Sequence, residues 1–131
     1  MELDILKIAS DITNFKKLNN FTHSALKKNP MCGDYIDFRI LVKKNSIYNI
    51  SFETKSCVYC QASASLLCKF LYKKKLDKIF VILNRLKDFY GNQDIMISGI
   101  LSKVFNKKNY KRKECIYLPV KTISEALKIK N

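Results

Sequence analysis

The sequence predicts an α+β domain: an N-terminal helix, a small antiparallel sheet, then several helices packed on one face. Three observations carry this. Apolar residues recur at helical spacing near the N-terminus, alternate with period two from Ile36 to Glu53, and return to helical spacing after Cys60.

Ile5, Ile8, Ala9 and Ile12 define an amphipathic first helix, for which Asn19 and Asn20 offer a stop. A loop through Asn29-Pro30 follows. Ile36, Phe38, Ile40 and Val42 alternate with Asp37, Arg39 and Leu41, the signature of a strand with one buried face. Lys43-Lys44-Asn45-Ser46 makes a polar turn. Tyr48, Ile50 and Phe52 then alternate with Asn49, Ser51 and Glu53, so the two segments form an antiparallel hairpin. Ala62, Leu66 and Phe70 start the helical half. Leu76, Ile79, Phe80, Leu83 and Leu86 make a second stripe that Gly91 ends, and Ile97, Ile100, Leu101 and Val104 a third. A basic stretch from Lys107 to Lys113 leads to Cys115. Pro119 suits the first turn of a closing helix whose apolar face is Val120, Ile123 and Leu127.

At 131 residues, without repeats or a Pro/Gly/Ser-rich linker, the expectation is one domain over 1–131. The 47% hydrophobic content can fill a core. No apolar run approaches the roughly 20 residues of a membrane-spanning helix. The start Met1-Glu2-Leu3-Asp4 carries no basic segment followed by an apolar one, so a cytoplasmic location is expected. Five cysteines, an odd number, argue against a disulfide framework and for metal or reactive sulfur in a reducing compartment. The formal net charge of +14 would suit a polyanion. Yet arginine, the residue favoured at phosphate-binding sites, occurs only at Arg39, Arg85 and Arg112. The charge therefore reads as a solvated lysine surface, and nucleic acid is not the expected partner. A salt-sensitive nucleic-acid complex at physiological ionic strength would reverse that reading.

The chemistry concentrates in the cysteines. Cys32-Gly33-Asp34 lies on a loop ahead of the first predicted strand, where Gly33 permits a tight turn and Cys32 and Asp34 can point the same way. A thiolate and a carboxylate are two zinc ligands of the four a structural site takes. Cys57 and Cys115 stand at element ends, where ligands from distant segments can meet. By spacing alone the alternative stays open that these are small buried apolar residues. Cys57-Val58-Tyr59-Cys60 is a single CxxC pair. Redox chemistry of the thioredoxin kind would want it in a βαβ context, and the preceding hairpin is antiparallel. Cys68 reads as packing, and His23, the only histidine, as a surface loop residue. The sequence contains no Gly-rich phosphate loop, HExxH motif or Ser/His/Asp nucleophile arrangement.

Asn29-Pro30-Met31-Cys32-Gly33-Asp34 before a hairpin, Cys57-Val58-Tyr59-Cys60-Gln61-Ala62-Ser63-Ala64-Ser65, and Arg112-Lys113-Glu114-Cys115 with Leu118 behind resemble the SufU/IscU/NifU N-terminal family of iron–sulfur cluster assembly proteins. The resemblance spans nearly the whole chain. It implies the SufU/IscU-like fold and one metal site built by Cys32, Asp34, Cys57 and Cys115. The long interval from Cys57 to Cys115 and Arg112 three residues before Cys115 are similar to the SufU branch. That branch implies tight zinc binding, Cys32 as acceptor of persulfide sulfur, and Arg112 as an electrostatic helper. The implied partners are a pyridoxal-phosphate cysteine desulfurase (SufS-like) and downstream iron–sulfur assembly proteins. If the chain acts as an enzyme, it is as a zinc-dependent sulfurtransferase working with that desulfurase. The alternative within the family is a scaffold on which a [2Fe–2S] cluster is built with the same ligands. The chain departs from the family pattern at Ser56, usually glycine, and at Cys60, usually serine, which leaves Cys60 open as a spare ligand. The signature that ends the first helix is degraded over Asn14 to Asn20.

Overall fold

The computed structural model describes residues 3–29, 33–92 and 94–129. Helix α1 (Leu3–Ala9) is followed by strands β1 (His23–Lys28), β2 (Tyr35–Lys43) and β3 (Ser46–Lys55), then helices α2 (Val58–Leu71), α3 (Leu76–Asp88) and α4 (Lys113–Ile129). Three short 3₁₀ turns, Phe89–Gly91, Gly99–Lys103 and Lys107–Arg112, link α3 to α4. The α+β class is as the sequence predicts.

The sheet has three antiparallel strands in the order β1-β2-β3. Ile36, Phe38 and Ile40 of β2 and Ile50 and Phe52 of β3 are buried beneath the helices, as period-two alternation requires. Lys44 and Asn45 both take positive φ, 52° and 62°, the backbone that a two-residue hairpin turn needs. The alternation fails at one place. Val42 pairs with Ile47 while Leu41 pairs with Asn49, so Tyr48 is the extra residue of a bulge. Ile47 is therefore buried, and Tyr48, expected on the inner face, is 58% exposed.

β1 is a strand where a loop was expected. Its half-buried positions are His23, Ala25 and Lys27, too polar to betray a buried face. Helix α1 also ends earlier than its apolar spacing suggests. Asp11 accepts from the Thr13 amide and hydroxyl and pairs with Lys69, offering the backbone an alternative to helix. The chain then runs along the free edge of β3, where the Phe52 amide donates to Asn14 O and the Lys16 amide to Phe52 O, both at 3.0 Å.

Helix α2 is buried along most of its length, including Ala62, Ser63, Ala64 and Ser65. These small residues let neighbouring backbones come close. Ser63 donates to the Ile116 carbonyl of α4 at 2.8 Å and Ser65 to the Asp11 carbonyl at 3.3 Å, which satisfies both buried hydroxyls. Ile79, Leu83 and Leu86 form the buried stripe of α3, while Phe80 is on its exposed side. The expected helix around Ile97–Val104 is instead the 3₁₀ turn Gly99–Lys103, with Leu101 and Val104 buried and Ile100 exposed. Gly99 at φ +71° breaks the helical path there.

The last helix begins at Lys113, ahead of Cys115, so Pro119 lies inside it. A proline has no N–H, so the Cys115 carbonyl lacks its usual donor four residues on. Cys115 itself occupies the first turn of α4.

Candidate metal centre

Three elements converge at one end of the sheet. Asp34 precedes β2, Cys57 caps α2, and Cys115 sits in the first turn of α4. One ligand atom from each, the Asp34 carboxylate oxygen and the Cys57 and Cys115 sulfurs, lies within 4.8 Å of the other two. All three residues are half-buried.

The backbone fixes this cluster locally. The Asn29 amide donates to the Asp34 carbonyl at 2.7 Å and the Gly33 amide to the Asn29 carbonyl at 2.9 Å, closing the turn between β1 and β2. Gly33 takes φ +75°, a conformation glycine adopts without steric cost. The Asp34 carboxylate then accepts from the Cys57 amide at 3.3 Å, tying the turn to the start of α2. Cys57 and Cys115 thus both stand at helix N-termini.

Electrostatics identify what the cluster lacks. The Cys115 thiol is pushed up from 9.0 to about 12, first by burial, then by its hydrogen bond with Cys57 and the negative charges available at Cys57, Cys60 and Asp34. Anion-forming groups crowded in this way oppose one another's ionisation. A divalent cation at their centre reverses that opposition. Two sulfurs and a carboxylate oxygen are donors that zinc or iron accepts. The residues thus fit a metal, with three of four tetrahedral positions supplied by the described part of the chain.

Cys32, the fourth ligand implied by the family resemblance, lies outside the described residues. Arg112 ends the 3₁₀ turn leading into α4, and its guanidinium stands over the Tyr59 ring at 5.4 Å. It therefore bridges the first turn of α2 to the start of α4, the helices at whose ends Cys57 and Cys115 stand. Cys60 is buried in that first turn. Its thiol is pushed up to about 12 mainly by burial, next to the Ser56 and Thr54 hydroxyls. Cys68 is fully buried in the core, and burial alone raises its thiol. His23 pairs with Ile40 at the opposite end of β1 from the Asp34 turn, which removes it from the site. The Arg112–Tyr59 contact and the hydroxyl partners of Cys60 carry no sequence signal, because each pairs residues by fold and not by spacing.

A family model describing the NifU-like N-terminal domain matches residues 4–91. An iron–sulfur cluster assembly scaffold protein IscU of Thermotoga maritima is 32% identical over 116 residues, covering 86% of this chain and 81% of the relative. An uncharacterized protein of Borreliella burgdorferi is 27% identical over 128 residues, covering 92% of this chain and 89% of the relative. Among solved structures, a candidate iron–sulfur cluster assembly scaffold for the SUF system from Fervidobacterium islandicum superposes with a TM-score of 0.85 at 23% identity, covering 97% of this chain and 96% of the other. The N-terminal part of a NifU-like protein from Brucella abortus gives 0.86 at 15% identity, covering 97% and 91%. The two structures establish the shared fold. With the family model spanning α1 to the first 3₁₀ turn and the Thermotoga relative extending over most of the chain, the chain belongs to the SufU/IscU/NifU N-terminal family of iron–sulfur cluster assembly proteins.

Proposed function

We propose that this chain is a single-domain iron–sulfur cluster assembly protein of SufU type, which accepts persulfide sulfur from a cysteine desulfurase at a zinc site. The observation that carries the proposal is the meeting of Asp34, Cys57 and Cys115 within 4.8 Å from three separate segments. The long connection between Cys57 and Cys115, with Arg112 three residues before Cys115, supports the SufU branch. Zinc, when bound, would keep its sulfur ligands as thiolates, the nucleophilic form.

In this reading Cys57 and Cys115 hold the ion from fixed helix ends. Asp34 adds an oxygen donor and secures the turn through its bond to the Cys57 amide. Cys32, next to Gly33 in the sequence, is the sulfur acceptor. Its thiolate attacks the outer sulfur of the desulfurase persulfide. A new S–S bond forms on Cys32, the old one breaks, and the desulfurase cysteine leaves as thiolate. Arg112 supplies a positive charge toward the anions at the rim. The partners are a SufS-like desulfurase and downstream assembly proteins, in the cytoplasm. Among the described residues, no helix is long and apolar enough to cross a membrane.

A second reading, a scaffold for [2Fe–2S] assembly on the same ligands, is favoured by the scaffold role named for the Thermotoga relative. Two measurements separate the readings. Desulfurase turnover should rise with the wild type and stay at its basal rate with Cys32→Ser. Equal stimulation by both would defeat the relay. After anaerobic reconstitution with iron and sulfide, a stable visible chromophore replacing zinc in the wild type would establish the scaffold, and Asp34→Ala should then hold the cluster longer.

A further inference from the structure

Helices α3 and α4 leave an open groove between them. Phe80, Leu83 and Lys87 line it from α3, and Lys121, Ser124 and Lys128 from α4. None of these residues belongs to the candidate metal centre. Ser124 is small, and its hydroxyl turns back on its own helix, donating to the Val120 carbonyl at 2.8 Å. It neither fills the groove nor offers a donor to it. Leu83 is buried beneath the groove, and Phe80 is 37% exposed at its wall. The surface between the lysines is therefore apolar.

Its charge is one-sided. The one carboxylate at the groove, Glu125, is engaged by Lys27 of β1 at 2.9 Å, and Lys121 reaches Glu114 only at 3.9 Å. Among the described residues, neither Lys87 nor Lys128 has an ion pair. Lys87 is half-buried, unlike the solvated lysines that dominate this surface. Burial, and then the charge of Lys128, lower its amine, and the neighbouring Asp88 offsets only part of this. An anion seated between Lys87 and Lys128 relieves their repulsion.

We propose that the α3–α4 groove docks an acidic amphipathic helix of a partner protein, its apolar side chains packed on Phe80 over Leu83 and its carboxylates meeting Lys87 and Lys128. A groove between two helices is a natural seat for a third, which anchors through one apolar stripe. Charge complementarity selects the occupant. A second copy of this chain, itself at +14, would set lysine against lysine. A phosphate backbone would leave the apolar wall unused, and the groove has no arginine fork to grip it. The inference does not depend on whether the candidate metal centre binds zinc or carries a cluster.

The test is fluorescence anisotropy of the full chain with a labelled helical peptide carrying leucine at i, i+3, i+4 and i+7 and glutamate beside them. The wild type should bind it, and a scrambled peptide of the same composition should bind roughly tenfold more weakly or worse. Lys87→Gln/Lys128→Gln and, separately, Phe80→Ser should each weaken the ordered peptide by roughly tenfold or more. Lys103→Gln/Lys111→Gln removes the same charge from exposed positions outside the groove and should leave affinity nearly unchanged. All these side chains are at least partly exposed, so folding is not at stake. Equal losses in the two lysine pairs, or equal binding of the scrambled peptide, would reduce the effect to general charge and overturn the groove. So would no binding by the wild type. An RNA oligomer that outcompetes the ordered peptide, and is itself weakened by Lys87→Gln/Lys128→Gln, would make the groove a nucleic-acid surface and overturn the helix.

Discussion

Cys115 and Cys68 have similar chemistry and opposite consequences. Both thiols are raised by burial, but Cys115 has Cys57 and Asp34 beside it, whereas Cys68 has only the core. Cys115→Ser removes a proposed ligand, so we expect metal affinity to fall by roughly a hundredfold or more, measured by chelator competition. Cys68→Ser should leave metal affinity unchanged and lower stability by about 1–3 kcal/mol, the cost of a poorly satisfied hydroxyl in an apolar site. Denaturant titration of the metal-bound forms measures that difference. Metal loss in Cys68→Ser would contradict its role as packing. The family motifs made Cys32, Asp34, Cys57 and Cys115 legible as candidates. The CxxC spacing set Cys60 apart from Cys68, which reads as packing, without showing what surrounds either thiol. Their difference lies in Ser56 and Thr54, which the end of β3 delivers to one and not the other.

Among elements, the β2–β3 hairpin and the α3 stripe were readable because burial imposes a clean period on Ile36, Phe38 and Ile40 and on Ile79, Leu83 and Leu86. β1 escaped because its inward positions include His23 and Lys27, the latter paired with Glu125 of α4 at 2.9 Å. The link from α3 to α4 escaped because aromatic contacts hold it in place of a repeating stripe. Tyr90 packs edge-on against Phe89 and Tyr110, and its ring is tilted against Tyr117 of α4. The Tyr90 hydroxyl donates to the Asn106 carbonyl, and its amide donates to the Tyr117 hydroxyl, both at 2.8 Å. Burial raises the Tyr90 phenol from 10.0 to about 12, and the neighbouring Tyr117 adds to the rise. The fold therefore prefers the protonated phenol. Its stabilisation is complete below pH 10 and is lost as pH climbs to about 12, because the unfolded phenol ionises first. Tyr90→Phe should cost about 1 kcal/mol at neutral pH through the lost hydrogen bond. It should also lose less stability than the wild type between those two pH values. Parallel stability curves for the two proteins across that window would show that Tyr90 does not carry the alkaline transition.

For the whole molecule, a metal held at the candidate site would act as a staple. Asp34, Cys57 and Cys115 come from the β1–β2 turn, the start of α2 and the start of α4, with the β2–β3 hairpin, α2 and α3 between them in sequence. An ion bound at all three fixes the sheet to two helices at once. The unfolded chain has no such preformed site, so metal binding free energy becomes folding free energy. The formal charge of +14 gives the compact state self-repulsion that this linkage helps to offset. At a free-metal level a thousand times Kd, the contribution is about 4 kcal/mol. For a chain of this size, removing it should lower Tm by roughly 10 °C or more. Thermal unfolding with and without a strong chelator measures the shift, and readdition of zinc should restore it. Cys115→Ser supplies the control, because with affinity a hundredfold lower the same free metal contributes only about a third as much, and its Tm should shift correspondingly less. An unchanged Tm on chelation of the wild type, with elemental analysis showing that metal had been bound and removed, would mean that the ion is held at the surface of a fold that does not depend on it.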